Sequence, residues 1–193
     1  MLAFILLATP LTAISKDISY DYVQGSYSSI TDSSLNVDID GTGFDLDASF
    51  SVAPSIALTA GYGTTDYDRT FGIALEFTAL TLAVTAHTSV APGTDAFGNL
   101  SLLDIEAEAS NSTTKINDDD TGNIITAGLR HTINDSFELE ASVSRYDAFY
   151  DSFTDVVLGA RFYANESISA GIAYSQDNED EDALIFNLRL NIK

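Results

Sequence analysis

Phe44-Asp45-Leu46-Asp47-Ala48-Ser49-Phe50-Ser51-Val52 alternates apolar and polar side chains without a miss. A period of two is that of a half-buried strand, since successive side chains point to opposite faces of a sheet. Ala53-Pro54-Ser55 is a tight turn, and Ile56–Tyr62 alternates again. The same unit recurs along the chain. Leu80–Val90 turns at 91–95 into Phe97–Ala109, and Asn123–Ile133 turns at Asn134-Asp135-Ser136 into Phe137–Tyr146. Val156–Ala164 turns at Asn165-Glu166-Ser167 into Ile168–Ser175, Ala183–Ile192 ends the series, and Ile18–Tyr27 begins it. The pattern predicts ten strands, with eight as the alternative count. Four tight turns alternate strictly with five longer polar connections, at about 28–41, 64–79, 110–122, 147–155 and 176–182. Pro54 and Pro92 both fall in tight turns, where a missing N–H costs no ladder hydrogen bond.

The alternation breaks phase in two places. Phe71, Ile73, Leu75 and Phe77 share one parity, whereas Leu80 and Leu82 take the other. A bulge near 78–79, or a hairpin arm standing above the main sheet, would each account for the switch. Leu100 and Leu102 likewise oppose Leu103, Ile105 and Ala107, so only the second half of that strand is read with its apolar face defined.

Composition narrows the class. The chain of 193 residues carries 8 Lys+Arg against 29 Asp+Glu, a formal charge of −21, which argues against a nucleic-acid partner. There is no Cys, so disulfides, thiolate metal sites and Cys nucleophiles are excluded. Nine Tyr, eleven Phe and 45% hydrophobic residues are too many for a disordered acidic chain. No apolar run is long enough for a spanning helix. Residues 1–15 contain no charge, hold the apolar stretch Leu2–Ala8, and end in Ala13-Ile14-Ser15 with small residues at −3 and −1. They are expected to be a signal peptide, leaving 16–193 as the barrel domain. A soluble β-barrel and a membrane β-barrel remain.

The polar faces favour the membrane. They hold Ala57, Thr59, Gly61 and Gly63; Thr81, Ala83, Thr85 and Ser89; and Ser169, Gly171, Ala173 and Ser175. A water-facing exterior is normally dense in Lys and Glu, whereas small side chains suit the crowded interior of a narrow barrel. Arg130, Arg161 and Arg189 lie on polar faces within about four residues of a short turn or the chain end, and hence at a similar height at ~3.3 Å per residue. Glu138 and Glu140 share that level, and Asp45 and Asp47 add negative charge farther from their turn. These seven residues are expected to form an ion-pair cluster in the lumen, because unpaired charges in confinement are costly. Tyr20, Tyr22, Tyr62, Tyr146, Phe149, Phe162, Tyr163 and Tyr174 lie near strand ends, where aromatic girdles sit.

The opening Tyr20-Asp21-Tyr22-Val23-Gln24-Gly25-Ser26-Tyr27, the hairpin Gly43–Tyr62, His87–Asp95 leading into Leu103-Asp104-Ile105-Glu106, and the alternating last strand resemble the small outer-membrane β-barrels of Gram-negative bacteria, typified by the OmpA transmembrane barrel. The resemblance spans nearly the whole chain after residue 15 and implies a closed up-and-down antiparallel transmembrane barrel. It also implies outer-membrane residence among lipid and lipopolysaccharide, insertion by the barrel-assembly machinery, and frequently no known substrate. Such barrels usually end in an aromatic residue, whereas this chain ends Leu190-Asn191-Ile192-Lys193.

Catalytic signals are sparse. His87-Thr88-Ser89 resembles the His-x-Ser pair of lipid A deacylase barrels, and residues two apart on a strand do share a face. The pair lies beside a short turn, however, at the end opposite to the family's active site, and no enzymatic activity is expected. His131 falls on an apolar face near the short-turn interface. Asp118, Asp119 and Asp120, and Asp180, Glu181 and Asp182, are weak divalent-cation candidates in long loops, where charge runs are usually solvated. They are placed to share cations with lipopolysaccharide phosphates. No cofactor and no transition-metal site is expected, and a monomer is the default because closure removes sheet edges. The expected function is a structural barrel or a narrow ion and small-solute pore. The alternatives are a surface adhesion barrel acting through its acidic loops, a lipid A hydrolase, and a soluble barrel with its faces inverted.

Overall fold

A computed structural model describes residues 18–33, 37–70, 72–149 and 152–192. The expected signal segment, 1–15, lies outside the described residues. Ten antiparallel strands follow in chain order: β1 (Tyr22–Asp32), β2 (Ile39–Ala53), β3 (Ile56–Thr70), β4 (Ile73–Ala91), β5 (Thr94–Ser110), β6 (Lys115–Asn134), β7 (Phe137–Asp147), β8 (Thr154–Tyr163), β9 (Ile168–Asp177) and β10 (Glu181–Asn191). Each pairs with its sequence neighbours, and β1 pairs with β10 from Tyr22↔Asn191 to Asp32↔Glu181, so the sheet closes on itself. Closure leaves no row of unpaired backbone groups.

Short turns join the strands at one end. The Asn134 and Asn165 side chains accept two backbone N–H groups each, from Ser136 and Phe137 and from Ser167 and Ile168, building the same Asx turn twice. Gly93 supplies the left-handed residue of the turn after β4, at φ 69°.

The barrel is inside out. Its outer face carries Phe44, Leu46, Leu82, Leu102, Leu129, Leu158, Leu188 and similar side chains, with Leu102 66% exposed, while Arg130, Glu138 and Ser169 are 4%, 1% and 0% exposed in the interior. On β10 the apolar outward residues run from Leu184 to Ile192, ~26 Å of strand at ~3.3 Å per residue, which matches the apolar band of a membrane barrel. The inverted, soluble arrangement is therefore excluded.

The connections at the other end differ from expectation. Segments 64–79 and 110–122 are not loops: β3 and β4 are joined by residues 71–72 alone, and β5 and β6 by residues 111–114. Both hairpins continue past the apolar band, and because β4 stays paired with β5 up to Ala74↔Ser110 they form one four-stranded extension. The first strand also starts later than expected, at Tyr22.

The two phase breaks share one cause. The β4–β5 ladder is continuous from Ala74↔Ser110 to Ser89↔Asp95, and β5 pairs with β6 without interruption, so no bulge occurs near 78–79. Within the band, lipid lies outside, and Leu80, Leu82, Leu100 and Leu102 point outward. Above it, water lies outside, and Leu75, Phe77, Leu103 and Ile105 take the inward parity. The strand keeps its period while its solvent changes.

Candidate functional site

Cross-strand register assembles the interior cluster at the short-turn end. Ser169, Arg189, Gln24, Asp47, Gly61 and Thr81 are successive partners from β9 through β10, β1, β2 and β3 to β4. Glu138 pairs with Arg161, and Arg130 with Glu140. Inward parity at one height, not proximity in sequence, makes these residues neighbours.

The bonds are narrower than the set. Arg130 donates through Nε (2.9 Å) and Nη2 (2.8 Å) to Glu138 Oε1, and Tyr163 donates to Glu138 Oε2 at 2.8 Å. Glu140 lies 3.9 Å from Arg130 Nε. Glu138, 1% exposed, thus has both oxygens satisfied, as a buried carboxylate must. Arg161 and Arg189 make no ion pair among the described residues. Both donate to Gln24 Oε1, at 3.0 and 2.9 Å, and Gln24 Nε2 donates to Ser26. The Arg189 guanidinium also lies over the Tyr22 ring, 3.8 Å from its centroid.

Among the described residues Asp45 and Asp47 make no ion pair, unlike the pairing expected of them. Their carboxylates lie over glycines of β3: a Cβ at Gly61 would sit 2.5 Å from Asp47 Oδ1, and one at Gly63 would collide with Asp45 Oδ1. Those glycines are the space the carboxylates fill. Two cavities of about 260 and 250 Å³ flank the cluster and share Asp47, Glu140 and Arg189 in their walls. The first is lined by six of the seven expected residues, and Arg130 lines the second.

Sequence reasoning missed Gln24, Tyr163, Tyr20 and Tyr22. Gln24 shares the inward parity of β1, but only the register sets it opposite both Arg189 and Asp47. Tyr20, Tyr22 and Tyr163 were expected in the aromatic girdle but are lumen residues. Tyr20, just before β1, folds across the short-turn mouth, where its ring stacks on His87 (3.7 Å between centroids, 14°) and lies beneath Arg130 at 4.9 Å. The preceding carbonyl, Ser19 O, accepts from Arg130 Nη1 at 3.2 Å. Tyr146 is also internal and stacks on Phe153 at 4.5 Å. Phe162 and Phe137 (5.2 Å apart), Tyr62 and Tyr174 do face outward near the ends of the apolar band.

The His-Ser pair does not meet. His87 Nδ1 lies 3.8 Å from Asp95, while the Ser89 hydroxyl donates to the turn carbonyls of Ala91 and Thr94. His131 is on the outer face, with Nδ1 2.8 Å from Thr94 Oγ1. The first acidic run is not a loop either, and of the second only 178–180 lie in a connection, between β9 and β10. Asp118, Asp119 and Asp120 belong to β6, where alternation sends Asp119 to the face opposite its neighbours, and Asp120 accepts from the Phe149 backbone N–H. Asp180 sits in a turn at φ 69°, followed by Glu181 and Asp182 in β10. Among the described residues no three such groups converge as a metal site.

No family model and no curated protein sequence matches the chain. Solved structures do. The transport unit of the autotransporter AIDA-I from Escherichia coli is similar over 95% of this chain and 93% of that one, with a TM-score of 0.58 and 10% identity. Neisserial surface protein A covers 90% and 98% (TM-score 0.53, 10% identity), and the KdgM porin 88% and 99% (TM-score 0.51, 7% identity). At such identities the likeness shows the fold. Together with the apolar exterior, it makes the chain a ten-stranded transmembrane β-barrel of the outer-membrane class.

Proposed function

We propose that this chain is a structural outer-membrane barrel, of the small kind typified by the OmpA transmembrane barrel, whose lumen passes at most water and small ions. It acts by position and surface, not by catalysis. The supporting observation is the Tyr20–Arg130–Glu138–Tyr163 assembly across the short-turn mouth, in which every member is at most 6% exposed. An aqueous channel wide enough for solutes would wet these side chains. The three interior arginines face four carboxylates, so what space remains is weakly cation-favouring. In this reading the partners are outer-membrane lipid, lipopolysaccharide and, during insertion, the barrel-assembly machinery. Purified protein in planar bilayers is expected to show no large steady conductance, and a large stable conductance would refute the closed lumen.

A second reading rests on the arms. The β3–β4 and β5–β6 hairpins rise above the apolar band and carry Asp66, Glu76, Glu106, Glu108 and Asp119 on their outer face, with Lys115 ion-paired to Glu108. Such a surface suits partner binding. Replacing 110–122 and 176–182 by short turns should then abolish binding to the partner while leaving assembly intact.

A further inference from the structure

A third cavity, of about 410 Å³, lies at the long-arm end, above the apolar band and away from the arginine cluster. Its apolar wall comes from Ile39 at the start of β2 and from Ile73, Leu75 and Phe77 of β4. These side chains follow the inward parity that the arms adopt once water lies outside. A small core would account for that parity, but not for the space. Cores are filled to crystal-like density, whereas space open to solvent remains here among the described residues and Ile73 is 50% exposed. The volume falls within the range of small-molecule sites, which are mostly apolar with a few directed polar groups.

The polar groups here are of one sign. Asp32 of β1, Asp68 of β3 and Glu181 of β10 line the cavity, and no basic residue does. Tyr67 bridges the two parts of the wall. Its ring lies against Gly41, where a Cβ would sit 3.0 Å from the ring, and meets Phe77 edge-on at 6.0 Å. Its hydroxyl donates to Glu181 Oε2, which fixes the carboxylate at the edge of the apolar surface. The Asp32↔Glu181, Gly41↔Tyr67 and Tyr67↔Leu75 pairings hold this geometry across five strands of the closed sheet, not on a free loop.

We propose that this cavity is a binding site for a small organic cation: an aromatic or aliphatic body that fills the space against Leu75 and Phe77, bearing an ammonium or guanidinium that reaches Glu181. An anion would meet three carboxylates in a partly dehydrated site, whereas a cation complements the sign of that wall. The site is independent of whether the lumen conducts, because it lies at the other end of the barrel.

The test uses the full chain in lipid nanodiscs and three probes of one shape: tryptamine, neutral indole and anionic indole-3-propionate. Binding is read by isothermal titration and by saturation-transfer NMR. Tryptamine is expected to bind saturably, indole about tenfold more weakly, and indole-3-propionate not at all. Glu181→Gln should weaken tryptamine about tenfold, the scale of one charge-assisted hydrogen bond. Leu75→Asn should weaken tryptamine and indole together. Asp68→Asn, at the exposed arm tip, serves as a second charge variant that does not burden folding, and should cause a smaller loss. Folding of each variant is checked by its heat-dependent gel mobility. Absence of saturable tryptamine binding, equal affinity for all three probes, or tryptamine affinity unchanged in both carboxylate variants would overturn the proposal.

Discussion

Arg130 and Glu138 show how an interior ion pair behaves when water is scarce. Glu138 receives three donors and is 1% exposed, so removing Arg130 strands a buried charge. Arg130→Ala is expected to cost about 3–5 kcal/mol, read as a lower urea midpoint for loss of the heat-sensitive band. Arg130→Met combined with Glu138→Leu should cost less than the two single changes summed, since the double variant leaves no orphan charge. A double-variant cost equal to the sum of the two single costs would show that the pair is solvated and weak. The pH response belongs to the same scale. Glu181 lies above the apolar band, where burial first, and then Asp177 of β9, Asp32 of β1 and Asp155 of β8, push its carboxyl above the usual range, against the Tyr67 hydroxyl, which lowers it. A bound cation favours the ionised form. Tryptamine affinity should therefore fall as pH falls, with the loss beginning above the ordinary carboxylate range and shifting in Glu181→Gln. Affinity that is flat across that range would remove Glu181 from the site. Of these residues, the arginines and glutamates were legible from parity and distance to the turns, which fix height in a regular strand. Gln24 and Tyr163 were not, because polar-face position alone does not tell which side chain supplies the missing acceptor or donor once two arginines crowd one place.

The strands themselves were nearly all legible, and their number and order follow from alternation and turn chemistry. The errors came where the solvent changes along one strand. Hydrophobic alternation reports which face meets the apolar phase, and in β4 and β5 that face moves from outside to inside at the edge of the lipid. The sequence pattern is then indistinguishable from a bulge, and the polar stretches beyond it look like loops. Single-Cys labelling tests this directly, since the chain has no Cys of its own. Spin labels at 80, 82, 84 and 86 should be accessible to oxygen and shielded from a polar relaxant, whereas labels at 74, 76 and 78 should show the reverse. All seven share one parity, so a bulge at 78–79 would instead turn the upper three inward and shield them from both. Nearer the middle of the band, Val84→Arg should destabilise the barrel by about 2–4 kcal/mol, while Thr78→Arg on the same face should be near neutral.

At the scale of the whole molecule, the barrel is closed along its sheet, and in the reading proposed above it is closed a second time, across its lumen. Sheet closure comes from pairing β1 with β10. Lumen closure depends on the segment just before β1: Ser51 donates to the Asp21 carboxylate through both its backbone N–H and its hydroxyl, Ser19 holds Arg130, and Tyr20 is seated between His87 and Arg130. A ten-stranded barrel is only slightly wider than the eight-stranded kind that side chains fill, so a few residues suffice to block it. If Tyr20 is that block, Tyr20→Ala should raise the single-channel conductance from baseline to a small, cation-preferring step, because Asp45, Asp47 and Glu140 then line the wetted path. Adding Arg130→Ala should enlarge the step and strengthen the preference, as one of three interior cations is lost. Gly61→Val, which forces the Asp47 carboxylate off β3, should perturb this path without opening the intact mouth. A conductance that is already large in the unmodified protein, or unaltered in Tyr20→Ala, would place the constriction elsewhere in the lumen.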